Sequence, residues 1–323
     1  MHQSLRAGAL ALLGALLLGG CARSPQLPPE AARLPQRVEL DEVPFFPQAE
    51  YQCGPAALAT MLNQRGVATT PGRLKERVFL PGRQGSLQVE MTATARAHDL
   101  LVYPLPPRLD ALLAEVAAGN PVLVLQNLAF DWYPRWHFAV LVGYDRDKQE
   151  LILRSGITRR WVTDFASFDA TWARSGRWAV LTLPPERLPA EAELLPWLQA
   201  ATDLEQTGHR AAARTAYRAA TRHWPGDGLP WFALGNARYA GKDVAGAQMA
   251  LQQAITVAPS FAPAWSNLGH VLAEQGCAAQ AQQARQCARQ LAPEDPRFRE
   301  SPAPAAASAG TGASCMALPA CPR

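Results

Sequence analysis

Between Val38 and about Pro184, short apolar runs alternate with stretches of helical periodicity; beyond Glu193 only the helical pattern continues. Pro55 to Gln64, Ser86 to His98 and Leu109 to Ala118 follow the helical period, and Gly119-Asn120-Pro121 closes the last of them. Four compact apolar runs read as strands: Val122 to Gln126, His137 to Tyr144, Leu151 to Arg154 and Arg177 to Leu183. The polar segment Asp145 to Gln149 reads as a hairpin turn joining the second and third. Helices followed by an antiparallel sheet predict an α+β domain over residues 38–185. Pro184-Pro185 and the acidic, Pro-containing stretch to Glu193 mark its end.

The second part repeats itself. Trp197, Trp231 and Trp265 fall 34 residues apart, and Ala213, Ala247 and Ala281 follow at one fixed offset. Ala220, Ala254 and Ala288 recur likewise, and Pro225, Pro259 and Pro293 close each unit. Small alanines let paired helices approach, Trp fills the space between them and Pro stops the second helix. A period of 34 with this pattern resembles the tetratricopeptide repeat. The resemblance implies an all-α solenoid of three repeats over residues 190–297, with a groove for a protein partner.

The two ends differ from both parts. Arg6 precedes an apolar run, Ala7 to Leu18, that is too short for a lasting membrane span. It leads to Leu18-Gly19-Gly20-Cys21, which resembles the lipobox of bacterial lipoproteins. The resemblance implies a signal peptide over 1–21, a lipidated Cys21 and a membrane anchor, since two or more acyl chains hold a protein stably. Ala22-Arg23 in place of an aspartate implies the outer membrane, facing the periplasm. An ordinary secretory signal with an incidental cysteine is the alternative. Residues 22–37, rich in Pro, Ala and Arg, read as a flexible linker. Residues 298–323 read as a disordered tail, apart from a loop between Cys315 and Cys321.

The charge balance narrows the partners. A formal net charge of +4, with no run of Lys and Arg interleaved with aromatics, argues against nucleic acid. Of the six cysteines, Cys277, Cys287, Cys315 and Cys321 remain once Cys21 and Cys53 are assigned. Pairing 277 with 287 and 315 with 321 is local and plausible, but spacing does not fix connectivity. No zinc-type spacing is present, and no metal or organic cofactor is expected.

Candidate chemistry concentrates at Gln48-Ala-Glu-Tyr-Gln-Cys53-Gly54-Pro55-Ala-Ala-Leu58. Pro55 suits a first helical turn, so Cys53 stands at a helix N-terminus. The unpaired N–H groups and partial positive charge there favour thiolate over thiol. Gln48, five residues earlier, offers an amide N–H for an oxyanion beside the Cys53 backbone N–H. Of six histidines, His137 alone opens an apolar strand. His209, His223 and His270 fall in the repeats, and His98 ends a helix. Phe130, Trp132, Tyr133 and Trp136, just before His137, line a substrate cleft or pack in the core.

Gln48, Cys53-Gly54 and His137 followed by Ala139-Val-Leu-Val-Gly143 resemble the C39 family of papain-like cysteine peptidases over residues 40–183. The similarity is to the lipoprotein subgroup that joins such a domain to tetratricopeptide repeats. It implies a papain-like fold, Cys53 as nucleophile, His137 as its base and a peptide or protein as substrate. Where the family carries an orienting Asp, this chain has Arg154-Ser155-Gly156. Ser155 is one candidate to hold the imidazole and Asn127 another. Two other readings stand beside the peptidase: a hydrolase of peptidoglycan stem peptides, and a degenerate peptidase whose repeats do the work.

Overall fold

The computed structural model describes residues 25–299 and 315–323. Cys21, the expected signal peptide and residues 300–314 of the expected tail lie outside the described residues. The described residues divide into two compact units, one of residues 25–91 and 105–181, the other of residues 92–104, 182–299 and 315–323.

In the first unit an antiparallel sheet carries the site. Its strands are β1 (Arg37–Glu39), β3 (Val122–Asn127), β4 (Trp136–Asp145), β5 (Glu150–Ser155), β6 (Thr158–Asp164) and β7 (Ala179–Leu183). The order is β7-β3-β4-β5-β6, and β1 pairs with the far end of β4. Val124 to Leu125 and Phe138 to Val142 are buried, as a strand covered on both faces requires. Helices α1 (Cys53–Gln64) and α4 (Leu109–Ala117) pack on β3 and β4, and α5 (Phe165–Ala173) packs on β3, β5 and β6. Leu58, Met61 and Leu62 are the fully buried large side chains of α1.

Several elements go beyond the sequence reading. α2 (Pro71–Val78) carries Thr70 as its N-cap, whose hydroxyl accepts from the Arg73 N–H. It buries only Leu74 and Val78, so its polar stretch hides the helical period. α5 is capped by Asp164, which accepts from Ser167 N–H at 2.8 Å; that bond holds its carboxyl below the usual range. β6 is an edge strand with exposed Arg159, Arg160 and Trp161, so it lacks the apolar alternation that marks a strand. The stretch expected to be a flexible linker is partly structured. Pro29–Arg33 forms a 3-10 turn, and Arg146 donates to the Ala31 and Pro35 carbonyls.

In the second unit, α6 (Leu194–Gln206), α7 (Arg210–His223), α8 (Gly228–Ala240), α9 (Val244–Val257), α10 (Ala262–Glu274) and α11 (Ala278–Leu291) pair in sequence. A short α12 (Pro296–Arg299) follows. The second helix of each pair ends two residues before Pro225, Pro259 and Pro293, the break that proline imposes. Gly235 lies against Leu251, and Gly269 against Arg285 and the Ala281 carbonyl. A Cβ at either glycine would come within 2.8 Å of its neighbour, so the close helix approach needs the missing side chain. Trp231 and Trp265 donate to the carbonyls of Pro225 and Pro259, which end the preceding repeats. Trp197 has no preceding repeat and donates to Ala216 O instead.

Residues 92–104 belong with these helices. α3 (Gln88–Arg96) hands its last residue, Arg96, to an ion pair with Asp203. Asp99 meets His209 at 2.8 Å, and Tyr103 on β2 (Leu101–Pro104) packs its ring on Trp197.

The disulfides are Cys277–Cys315 and Cys287–Cys321, not the local pairs judged plausible from spacing. Cys277 caps α11 and Cys287 lies within it. Ten residues of helix rise roughly 15 Å, far beyond the reach of a disulfide. The last residues are therefore not a free tail. Leu318 and Cys321 pack against the apolar cluster around Trp265 and Leu268.

Candidate active site

Cys53 is the first residue of α1. Gly54 behind it lets Ser86 and Met91 close in: a Cβ there would stand 2.2 Å from Ser86 Oγ and 2.6 Å from Ser86 Cβ. The sulfur receives N–H groups from its own residue, from Gly54 and from Phe138 on β4. The Phe138 contact brings the helix start against the strand that carries His137.

His137 and Ser155 share a face of the sheet. Val140 pairs with Arg154, so Ser155 stands opposite Ala139, with His137 two residues further along β4. A diagonal pair of this kind is within reach of a long side chain. His137 Nε2 and Ser155 Oγ lie 2.8 Å apart. Gln126 is directly opposite His137 on β3, and its amide donates to Thr171 Oγ1 at 2.6 Å.

Asn127, the other candidate to hold the imidazole, is taken elsewhere. Its side chain accepts from Ala129 N–H and Arg135 N–H and donates to Phe130 O, so it fastens its own loop.

Arg154 faces away from His137. Its guanidinium donates to the carbonyls of Leu40, Asp41, Val43 and Arg159. A buried cation with four carbonyl partners fixes the segment that leads to Gln48. Gln48 is further tied by its backbone N–H to Gly156 O at 3.1 Å. Sequence pattern alone gave no sign of this tie, because both partners are backbone atoms.

Gln48, Cys53, Phe138, Ser155 and Gly156 bound a cavity roofed by Phe45 and Phe46. Its volume of about 10 Å3 holds roughly one water. His137 is not in its wall; the imidazole reaches the cavity edge through Ser155.

The electrostatics differ from the sequence expectation. Burial pushes the Cys53 thiol up from its ordinary value, and the three N–H groups only partly offset it. Burial also lowers the His137 imidazole to about 4. The helix N-terminus does point its amides at the sulfur, but desolvation outweighs them. Near neutral pH both the Cys53 thiol and the His137 imidazole are uncharged. Cys53 keeps part of its surface in solvent.

Residues 40–180 match the Peptidase_C39 like family, and residues 195–237 match the tetratricopeptide repeat. The chain therefore carries a C39-like peptidase domain followed by tetratricopeptide repeats. No curated protein matches the sequence. A C39-like peptidase from Bacillus anthracis is similar at 18% identity over 46% of this chain and 98% of that chain, with a TM-score of 0.39. The peptidase domain of Streptococcus ComA is 16% identical over 44% of this chain and 99% of that one, TM-score 0.35. The first tetratricopeptide domain of Spaghetti (RPAP3), bound to an HSP90 peptide, is 16% identical over 32% of this chain and 83% of that one, TM-score 0.31.

Proposed function

We propose that the chain is a cysteine peptidase in which Cys53 attacks a peptide carbonyl and His137 relays the proton. The observation that carries this reading is the His137–Ser155 contact at the edge of the cavity that Gln48 and Cys53 line. If Nε2–H donates to Ser155 Oγ, Nδ1 is left as the base. The thiol proton passes to Nδ1 as sulfur bonds to the carbonyl carbon. The Gln48 amide and the Cys53 N–H receive the oxyanion. The leaving amine takes the proton from Nδ1, and water then hydrolyses the thioester.

Because the resting pair is neutral, proton transfer accompanies attack, as in the serine enzymes, rather than preceding it. Ser155 holds the imidazole by a neutral bond and supplies no charge to stabilise the imidazolium. The enzyme is accordingly slower than one with a carboxylate at that place.

We place the protein on the outer membrane, facing the periplasm, tethered through a lipidated Cys21. Two disulfides in the second unit suit an oxidising compartment. The repeats bind a protein partner or a distal part of the substrate.

The test is turnover of fluorogenic peptides and of purified muropeptides by the chain lacking residues 1–21. Peptide cleavage abolished by Cys53→Ala and reduced at least 100-fold by His137→Ala is expected. Cleavage of muropeptides alone transfers the activity to cell-wall stem peptides. No cleavage of either, with Cys53 unreactive, leaves the repeats as the functional half.

A further inference from the structure

The loop between β3 and β4, with Trp136 at the start of β4, departs from the rest of the surface. Trp132 is 82% exposed, and Leu128, Phe130, Tyr133 and Trp136 are each more than half exposed. An apolar patch of this size on a folded unit ordinarily marks a contact site. The loop is also built rather than loose. Phe130 and Tyr133 bridge across its tip, and Phe130 stacks on Trp132 with centroids 5.5 Å apart and planes 7° from parallel. Buried Asn127 makes three hydrogen bonds within it, and Arg174 fastens Asn127 O through Nε and Nη2 at 3.2 and 3.0 Å.

We propose that this loop and Arg174 form a specificity subsite for a peptide segment that carries a large apolar or aromatic side chain next to a carboxylate. The proposal rests on the peptidase reading and names its substrate class. Three observations point to that occupant. A cavity of about 520 Å3 opens between Leu128, Phe130, Trp132, Arg135 and Arg174, the size of an ordinary ligand pocket. Two guanidinium groups against the single carboxylate of Asp131 leave it net positive. Among the described residues no hydrogen bond or ion pair occupies the Arg135 guanidinium, and a planar guanidinium suits a carboxylate.

Position ties the pocket to the chemistry. Arg135 lies two residues before His137, which at strand rise is roughly 7 Å. The pocket therefore opens beside the residue read as the base. Aromatic and arginine side chains in a rigid setting are the residues that dominate recognition energies, and the pre-ordered loop loses little entropy on binding.

The test uses the full chain with Cys53→Ala, so that binding is read without turnover. Fluorescein-labelled octapeptides of Ala and Ser carry a central Phe-Asp, Phe-Lys or Ala-Asp, and anisotropy reports affinity. Phe-Asp is expected to bind at least tenfold tighter than the other two. Trp132→Ala is expected to remove that preference, Trp132→Phe to keep it, and Arg135→Glu to turn it toward Phe-Lys. Equal affinities for the three peptides overturn the subsite, as does a preference that survives both Trp132→Ala and Arg135→Glu. Binding to phosphatidylglycerol vesicles with no discrimination among peptides also overturns it and makes the loop a membrane contact. Tight Phe-Asp binding by a chain that cleaves no peptide sinks the peptidase reading and leaves the subsite standing. Cleavage without peptide preference does the reverse.

Discussion

His137 and Ser155 meet as a diagonal pair across β4 and β5, with Nε2 and Oγ 2.8 Å apart. A neutral hydroxyl is thus the hydrogen-bond partner of the imidazole. Ser155→Ala is expected to lower kcat/KM about fivefold by freeing the ring, the loss of one neutral hydrogen bond of about 1 kcal/mol. Ser155→Asp is expected to raise activity and to move the acid limb of the pH profile upward, because a carboxylate stabilises the imidazolium. Parallel pH–rate profiles of the three proteins check both. A Ser155→Asp of unchanged activity with an unshifted limb would mean that the hydroxyl does not orient the base.

The neutral pair has a reactivity signature. With the thiol pushed up by burial and no ion pair below neutrality, alkylation of Cys53 by iodoacetamide is expected to rise only above about pH 8.5. Single-thiol protein with Cys277, Cys287, Cys315 and Cys321 replaced by Ser reports it. Fast alkylation at pH 6 that depends on His137 would instead reveal a preformed thiolate.

Burial of His137 also sets a stability window. Its folded pKa of about 4 lies below the ordinary 6.5, so between those values the unfolded chain binds a proton that the folded chain does not. Stability therefore falls as pH drops from about 6.5 to about 4, by roughly 3 kcal/mol in all, and is fully present above 6.5. Urea unfolding of the wild type and of His137→Gln at pH 7 and pH 4.5 measures it. The variant is expected to lose markedly less stability on acidification; equal losses count against a buried, neutral imidazole.

Gly54 is held to glycine by Ser86. Gly54→Ala is expected to cost about 1–3 kcal/mol, as overpacking does, and to slow Cys53 chemistry by displacing the start of α1. Ser86→Gly in the same chain removes the atoms 2.2 and 2.6 Å from the added methyl, and is expected to restore most of both. A double variant as damaged as Gly54→Ala would locate the strain elsewhere.

The disulfides close long loops, 38 and 34 residues apart in sequence. Cys315→Ser or Cys321→Ser is expected to lower the stability of the second unit by roughly 2–4 kcal/mol. Thermal melting followed by tryptophan fluorescence, with and without dithiothreitol, reads the change.

What the sequence revealed follows the strength of its periodic signals. The 34-residue repeat made the second half legible because Trp, Ala and Pro recur at fixed offsets. The apolar runs of β3, β4 and β5 were equally plain. β6 and α2 were missed because exposed arginines and a mostly polar helix break the pattern. Cys53, Gln48, His137 and Ser155 were readable as candidates from their neighbours in the chain. The direction of the Cys53 pKa was not, since desolvation depends on what packs around the sulfur after folding. The division at residues 92–104 was invisible for the same reason: Arg96, Asp99 and Tyr103 find their partners more than 90 residues away.

Those same three residues, with the bridged segment 315–323, bear on how the repeat array ends. A helix-pair solenoid offers an apolar face at each end on which a further unit can stack. Here Tyr103 lies against the Trp of the first repeat, and Leu318 and Cys321 lie against the cluster of the last. Each terminus of the stack is plugged by chain that is not itself a repeat. A second molecule stacking end to end would have to displace Tyr103 at one face and Leu318 and Cys321 at the other.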